Sequence, residues 1–212
     1  RHPDKQSCPL APNALAGRHL PQTIRAQRAL SDTWEFKRLD PNVLVLDRAA
    51  FRVGDGAFSE CMFTQEIAYR LRQRYGVPTH PIRDVQPWVK HPQGPPAYDE
   101  QVVIRYSVQS HLPLPFELDL VVEDAADFEV WVNGYPVSFA TASWLDPAFR
   151  RASIREYWLQ GRNTITLRFR VHEDLPVEPA FLLGDFGVKS SDGHHFYLCP
   201  ESESITGGTW IG

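Results

Sequence analysis

Alternation of apolar and polar residues with a period of two is the feature that most constrains this chain. In the stretch "NTITLRFRV", Ile165, Leu167, Phe169 and Val171 alternate with threonine and arginine. The stretches "EQVVIRYSVQ", "FELDLVVED" and "DFEVWVNG" follow the same pattern. Because successive side chains of a β-strand point to opposite faces, each stretch predicts a strand with one apolar face. Such strands are typical of antiparallel sheets that pack one face on a core.

Turn residues between these stretches indicate how the strands are joined. The runs "TWEFKRLD", "NVLVLDRAAFRV", "FLLGDFGVKS" and "HHFYLCP" complete the set of predicted strands. Asn133-Gly134 follows "DFEVWV", and this pair best tolerates the positive φ angles of a type I′ hairpin turn. Short strands in series predict an all-β fold, an antiparallel β-sandwich of the jelly-roll type, rather than a parallel α/β fold.

One short helix is predicted within this β pattern. The stretch "TQEIAYRLRQRYGVP" places Thr64 where a capping residue would stand. Ile67, Leu71 and Tyr75 fall on one helical face, and Gly76 is a typical helix end.

Two segments rich in proline divide the chain. Residues 1–33 are interrupted by prolines and predict an irregular N-terminal extension, which leaves residues 34–212 for the β-sandwich domain. Residues 78–99 form a long proline-rich connection. Connections of this length are uncommon in a compact domain and are often functional or inserted.

Composition, charge and cysteines bear on partners and location. The chain carries 22 Lys and Arg against 26 Asp and Glu, a net charge of -4, which disfavours nucleic acid as a partner. No apolar run approaches the roughly 20 residues of a membrane span. Cys8, Cys61 and Cys199 are far apart and predict isolated thiols, which favours the cytoplasm. The chain begins without methionine and ends in the strand-like "SITGGTWIG", so we expect part of a longer protein, and secretion stays open as an alternative.

The sequence contains no recognised catalytic motif. GxSxG, HExxH, P-loop and GxGxxG patterns are all missing, and we predict no catalytic residue in this chain. A glycosidase needs two carboxylates about 5 to 9 Å apart, but the acidic residues fall mostly at predicted strand ends and in loops. They are Glu123, Asp124, Glu173, Asp174, Glu178, Asp185, Glu201 and Glu203.

Metal-ligating residues are sparse as well. In "HHFYLCP", His195 and Cys199 share one face of a predicted strand while His194 points to the other, so we predict no metal site here. No cofactor is predicted, with a structural calcium ion as the alternative that this type of fold leaves open.

Aromatic residues are the best candidates for ligand binding. Sugar rings have apolar C–H faces that stack on tryptophan. Trp131 is out of phase with Val130 and Val132, so it lies off the presumed core face and is a candidate platform, unless another segment or domain covers it. Trp88 and Trp144 fall in predicted loops, where binding residues are common.

Two motifs carry a resemblance to a known family. The stretch "VWVNG" and the later "SIREYWLQGRN" resemble the galactose-binding-like jelly-roll domains of large bacterial glycoside hydrolases, of the β-galactosidase, β-glucuronidase and rhamnosidase type. Asn133 and Gly134 match the first motif. The second is matched by Ile154, Tyr157, Leu159, Gly161 and Asn163. The family also carries a loop with tryptophan or aspartate between them, and Trp144 and Asp146 stand there.

The resemblance implies an accessory function. We expect a non-catalytic domain that binds a glycan or glycoside and contacts the catalytic domain of the same polypeptide, with Trp88, Trp131, Trp144 and Asp146 as candidate ligand-binding residues. The catalytic carboxylates of such enzymes lie in a separate domain, so the parent protein is expected to be a glycoside hydrolase. Two alternatives remain: a purely structural module that braces a catalytic domain, and a fragment that lends a loop residue to a glycosidase active site.

Overall fold

The structure is a computed structural model that describes residues 33–76, 97–113, 116–172, 177–190, 192 and 195–206. Within these ranges the chain forms one α-helix, α1 (Thr64–Tyr75), two short 3-10 helices (Ala125–Asp127 and Arg155–Tyr157) and fifteen strands. The strands are β1 (Thr33–Glu35), β2 (Asn42–Leu46), β3 (Arg48–Val53), β4 (Met62–Phe63), β5 (Ala97–Ser110), β6 (Leu118–Glu123), β7 (Glu129–Val132), β8 (Tyr135–Val137), β9 (Ser143–Trp144), β10 (Asp146–Ser153), β11 (Gly161–His172), β12 (Ala180–Gly184), β13 (Gly187–Ser190), β14 (Phe196–Cys199) and β15 (Ser204–Thr206). The predicted all-β fold with one short helix is confirmed.

The predicted irregular segments are only partly covered. The extension over 1–33 lies outside the described residues except for Thr33, which begins β1. The connection over 78–99 lies outside them except for 97–99, which begin β5. The division into an extension and a sandwich domain stays a prediction.

Most strands belong to two sheets. The five-stranded sheet has the order β2-β12-β6-β10-β9 and is antiparallel throughout. The larger sheet has the order β13-β14-β5-β11-β7-β8, and β3 also pairs with β5 and β4 with β3. Its β14–β5 pair is parallel, while its other pairs are antiparallel. Strands β1 and β15 form a separate antiparallel ribbon.

The core lies between the two sheets and consists of the apolar halves of the alternating strands. Residues of the five-stranded sheet pack there against residues of the larger sheet in one hydrophobic cluster. Its members include Leu118, Leu120, Val122, Val102, Ile104, Tyr106, Val108, Val130, Val132, Ile165, Leu167, Phe169 and Val171. The period-two pattern predicted that each of these side chains lies on a core face. The prediction is confirmed for the strands β5, β6, β7 and β11.

Helix α1 closes one side of this core but begins differently from the prediction. Ile67 and Leu71 are buried as expected, and Gly76 ends the helix with a φ of 66°. The position before the helix is occupied by Phe63, and no side chain caps it. Thr64 is already helical and buried, and its backbone N–H donates to the carbonyl of Asp47 at 2.8 Å. The prediction of Thr64 as the cap was wrong. Thr64 lies inside the helix, and its N–H is bonded to the carbonyl of Asp47, which lies between β2 and β3, instead of to a capping side chain.

The hairpin between β7 and β8 has the predicted turn. Asn133 has a φ of 52° and Gly134 a φ of 87°, the positive values that a type I′ turn requires. The Asn133 side chain also acts at a distance: its Nδ2 donates to Asn163 Oδ1 at 2.8 Å, and its Oδ1 accepts from the backbone N–H of Thr164 at 2.8 Å. Two motif residues that are 30 positions apart therefore join the hairpin to strand β11.

The segment between β10 and β11 contributes to the core at the same end of the sandwich. Ile154 and Trp158 are fully buried, while Tyr157 is partly buried and stacks on Tyr135 with ring centroids 5.5 Å apart. The Asn133 Nδ2 also donates to the Tyr157 carbonyl at 2.8 Å. The motif residues of this segment are thus part of the scaffold.

Candidate functional site

The outer face of the five-stranded sheet is unusually rich in apolar and aromatic residues. Phe181 and Leu182 are neighbours on β12, so their side chains point to opposite faces of the sheet. Leu182 belongs to the core, and Phe181 therefore points outward. The sheet register places Val45 and Val121 directly beside Phe181 on its two neighbouring strands. Val45 is 46% exposed. This face therefore carries an apolar row that is exposed at Val45, partly exposed at Phe181 and fully buried at Val121.

Three aromatic rings form a cluster on this face. Trp144 lies 5.6 Å from Phe181 and 6.3 Å from Phe149 between ring centroids, and Phe149 lies 5.8 Å from Phe181. Phe149 contacts both other rings edge to face, at interplanar angles of 74° and 80°, an arrangement that aromatic pairs favour, while Trp144 and Phe181 are tilted at 54°. All three are partly exposed and lie outside the core cluster. We call this set the outer aromatic cluster.

Charged residues border the outer aromatic cluster. Arg151 lies opposite Val121 in the register, and its guanidinium forms an ion pair with Asp119 on the adjacent strand. The Asp119 side chain is only 14% exposed, so this pair is better shielded than a typical surface pair. Guanidinium and carboxylate groups together offer both donors and acceptors to a ligand that rests on the rings.

Glu123 stands directly opposite Phe149 on the neighbouring strand, and its pKa is raised. Burial raises its pKa first, and the negative charges of Glu178, Asp124 and Asp146 raise it further. A carboxyl group of this kind keeps its proton to higher pH than an exposed one, and the protonated form can donate as well as accept a hydrogen bond.

Asp146 stands at the edge of the outer aromatic cluster but has a local structural role. Its Oδ1 accepts from the backbone N–H of Ala148 at 2.8 Å, which stabilises the start of β10. The register between β9 and β10 shifts at this point, and Leu145 has a φ of 63°. This irregularity directs Trp144 onto the outer face. Trp144 was predicted to lie in a loop, and that prediction was wrong, because it pairs with Asp146 as part of the short strand β9.

Trp131 points away from the core, as the alternation predicted, but on the other sheet. It lies on β7 in the larger sheet and is partly exposed. The Cζ atom of Arg168 lies 4.5 Å from the centroid of its ring, and the same guanidinium donates to Glu129. One face of the Trp131 ring is therefore occupied by a cation.

The four candidate ligand-binding residues do not form one site. Trp144 and Asp146 lie together on the five-stranded sheet, and Trp131 lies on the larger sheet. Trp88 lies outside the described residues. Phe149 and Phe181 were not among the residues predicted to bind a ligand. The available signal for Phe181 was the run "FLL", which has no polar alternation and so predicts a strand that is apolar on both faces.

The described residues contain no group of three or more His, Cys, Asp or Glu side chains placed to hold a metal ion. His195 pairs with Asp192, with 2.6 Å between Nδ1 and Oδ2, and Cys199 is buried. His194 lies outside the described part of the chain. None of the helices in that part is long and apolar enough to cross a membrane.

Comparisons with known proteins give distant structural neighbours only. No family model matches this chain, and no curated protein does. Among solved structures, it is similar to the β-D-glucuronidase of Dictyoglomus thermophilum, with 14% identity and a TM-score of 0.41 over 76% of this chain and 32% of that chain. It is also similar to the rhamnosidase of Novosphingobium sp. PP1Y, with 17% identity and a TM-score of 0.31 over 76% of this chain and 16% of that one. Both neighbours are glycoside hydrolases, and at these values neither assigns a family or an activity.

Proposed function

We propose that this β-sandwich is a non-catalytic, carbohydrate-binding unit of a larger glycoside-hydrolase-like protein. The observation that carries the proposal is the outer aromatic cluster of Trp144, Phe149 and Phe181, partly exposed on a sheet face and bordered by the Arg151–Asp119 ion pair. The motif resemblance to galactose-binding-like domains supports the same conclusion from the sequence.

The chemistry of this face suits a glycan. The rings can cover the apolar C–H face of a sugar, and their partly exposed surface is removed from water when the sugar binds. Hydroxyl groups at the rim of the sugar need donors and acceptors, which Arg151, Asp119 and Glu123 supply. Ligand sites commonly combine an apolar lining with a few polar groups in this way.

A packing face for a neighbouring domain is the second candidate. Leu145 is 87% exposed and Val45 is 46% exposed beside the cluster, and exposed apolar patches often mark protein–protein contacts. The edge-to-face arrangement of the rings also offers no single flat platform. In this case the isolated chain would bind no sugar at this face.

Calorimetric titration with galactosides, glucuronides and rhamnosides separates the two candidates. We expect Trp144→Ala and Phe181→Ala to weaken binding about tenfold each, as truncation of a central aromatic contact does. Trp131→Ala is the matched control, because it removes the same side chain from the outer face of the other sheet.

The outcomes are distinct. If only Trp131→Ala weakens binding, the glycan site lies on the larger sheet. If no sugar of the panel binds, and thermal melting shows that all the proteins are folded, the carbohydrate-binding proposal is contradicted and the packing face is favoured. We expect aryl glycosides to stay intact on incubation with the chain, and turnover that survives purification would contradict its non-catalytic character.

A further inference from the structure

An interruption in the larger sheet creates a second recess, which reaches Val45 beside the outer aromatic cluster but is lined by none of its three rings. Strand β5 pairs with β11 along one side, but its other side is shared by two short partners. Strand β3 pairs with β5 up to Arg105, and β14 pairs with it only from Gln109. Among the described strands, none pairs with the intervening residues 106–108 on that side. A cleft of about 420 Å³ opens at this gap.

Among the described residues, three arginines line the cleft. Arg105 lies on the outward face of β5, in phase with Ser107 and Gln109. Arg162 lies opposite Gln109 on β11, and its Nη2 donates to Ser107 Oγ at 3.4 Å. Arg48 reaches the cleft from the start of β3. Three guanidinium groups from three different strands therefore border one space.

These three guanidinium groups have no carboxylate partner within the described residues, although most of the other arginines there do. Ion pairs with carboxylates are formed by Arg38, Arg70, Arg74, Arg151, Arg155 and Arg168. Arg105 and Arg48 contact rings instead, with Cζ 3.7 Å from the centroid of Phe58 and 4.0 Å from that of Phe63. Stacking holds a guanidinium by its flat face and leaves its N–H edge available for an anion.

The remaining lining indicates what accompanies the anion. Among the described residues, Asp47 is the one carboxylate that lines the cleft, so the arginines dominate the charge of its described lining. Ser107 and Gln109 offer hydroxyl and amide groups, and Phe196, which is 38% exposed, offers an apolar surface. The volume falls within the range of about 300 to 1,000 Å³ that is usual for small-molecule sites. An inorganic ion would leave most of this space and most of these groups unused.

We propose that this cleft binds an acidic sugar, with its carboxylate held by Arg105 and Arg162 and its hydroxyl groups facing Ser107 and Gln109. Planar guanidinium groups match the two oxygens of a carboxylate, and such charge-assisted hydrogen bonds are stronger than neutral ones. The proposal goes beyond glycan binding at the outer aromatic cluster and does not depend on it.

Calorimetric titration of the whole chain with glucuronate, glucose and inorganic sulfate tests the proposal. Glucuronate is expected to bind, to lose affinity as salt is added, and to bind more tightly than either other ligand. Arg105→Gln and Arg162→Gln should each weaken glucuronate about tenfold or more, as loss of a hydrogen bond to a charged group does. Arg168→Gln is the matched control, because this arginine lies on β11 with Arg162 but contacts Trp131 outside the cleft.

A second measurement uses the unaltered protein. Cys61 is exposed and lines the cleft, so glucuronate should slow its alkylation, while glucose should not. Equal affinity for sulfate and glucuronate would reduce the cleft to a simple anion site and overturn the proposal. Equal affinity for glucose, equal weakening by Arg168→Gln, or no protection of Cys61 would overturn it as well. Trp144→Ala changes the outer aromatic cluster and not the cleft, so it should leave glucuronate binding at the cleft unchanged. The two functional proposals can therefore fail separately.

Discussion

Asn163 is expected to contribute about as much to stability as a large buried apolar side chain, because its amide group is completely paired. It is fully buried, and its Oδ1 accepts from the Leu159 N–H at 2.8 Å and from Asn133 Nδ2 at 2.8 Å. Its Nδ2 donates to the carbonyls of Leu159 at 2.7 Å and Gly161 at 3.1 Å. Both donors and both acceptor sites of the amide are therefore used, and no water can replace them without entering the core.

We predict that Asn163→Ala lowers the free energy of unfolding by about 4 kcal/mol, since four hydrogen bonds are lost at roughly 1 kcal/mol each. A domain of this size would then melt about 8 to 16 °C lower. Equilibrium unfolding in urea, followed by tryptophan fluorescence, measures the change. Asn42→Ala is the control: this asparagine is only partly buried, and its side chain makes two hydrogen bonds, from Nδ2 to the Phe186 carbonyl and from the Val43 N–H to Oδ1, each at 2.9 Å.

The Asn163→Asp variant adds a test by pH. An ionised carboxylate at this position would face the two carbonyls with no proton to donate, so we expect the folded protein to raise its pKa above the usual value of about 4. The protonated form can still donate to one carbonyl. The stability contributed by this hydrogen bond is therefore present below the pKa that the introduced aspartate has in the unfolded chain, and it is lost as pH rises through the higher pKa of the folded variant.

Two results would refute this reasoning. One is a loss in Asn163→Ala no greater than the roughly 2 kcal/mol expected for the two hydrogen bonds removed by Asn42→Ala. The other is an Asn163→Asp variant whose stability relative to the unaltered protein does not change with pH. Either result would mean that the hydrogen bonds of Asn163 contribute little to the stability of the fold.

Two further predictions concern close packing and thiol exposure. A Cβ at Gly184 would lie 2.4 Å from the Glu117 carbonyl oxygen, so Gly184→Ala should force the backbone apart and lower stability by about 2 kcal/mol, and an unchanged melting temperature would contradict this close approach. Burial raises the pKa of the Cys199 thiol while Cys61 is exposed, so in a Cys8→Ser variant a thiol reagent should label Cys61 at once and Cys199 only on unfolding. Similar labelling rates for both thiols in the folded protein would count against that burial.

Several features of the fold were predictable because they depend on neighbours in sequence. The period of two decides which side chains of a strand share a face, and this placed Leu118 and Ile165 in the core and Trp131 outside it. The Asn133-Gly134 turn was predictable because positive φ is a property of individual residues. Thr64 shows the limit of local reasoning, since its N–H is bonded to the carbonyl of Asp47, a residue 17 positions earlier in the chain.

The candidate site was predicted only in part. Trp144 and Asp146 were identified from their position between two motifs, but their neighbours Phe149 and Phe181 were not. Trp144 and Phe181 are distant in the chain and meet because β12 and β10 both pair with β6. The cleft at β5 likewise depends on where β3 and β14 end along their common neighbour, which no local pattern indicates.

The residue pattern alone predicted most of the strands, the hairpin turn, the helix and the direction of most core side chains, because steric preference and alternation act over a few residues. The tertiary structure alone decided which outward faces became the outer aromatic cluster and the arginine-lined cleft. It also decided that Asn133 would pair with Asn163 across 30 positions. The physical reason is that strand order and register bring together residues whose separation in the chain carries no information about their contact.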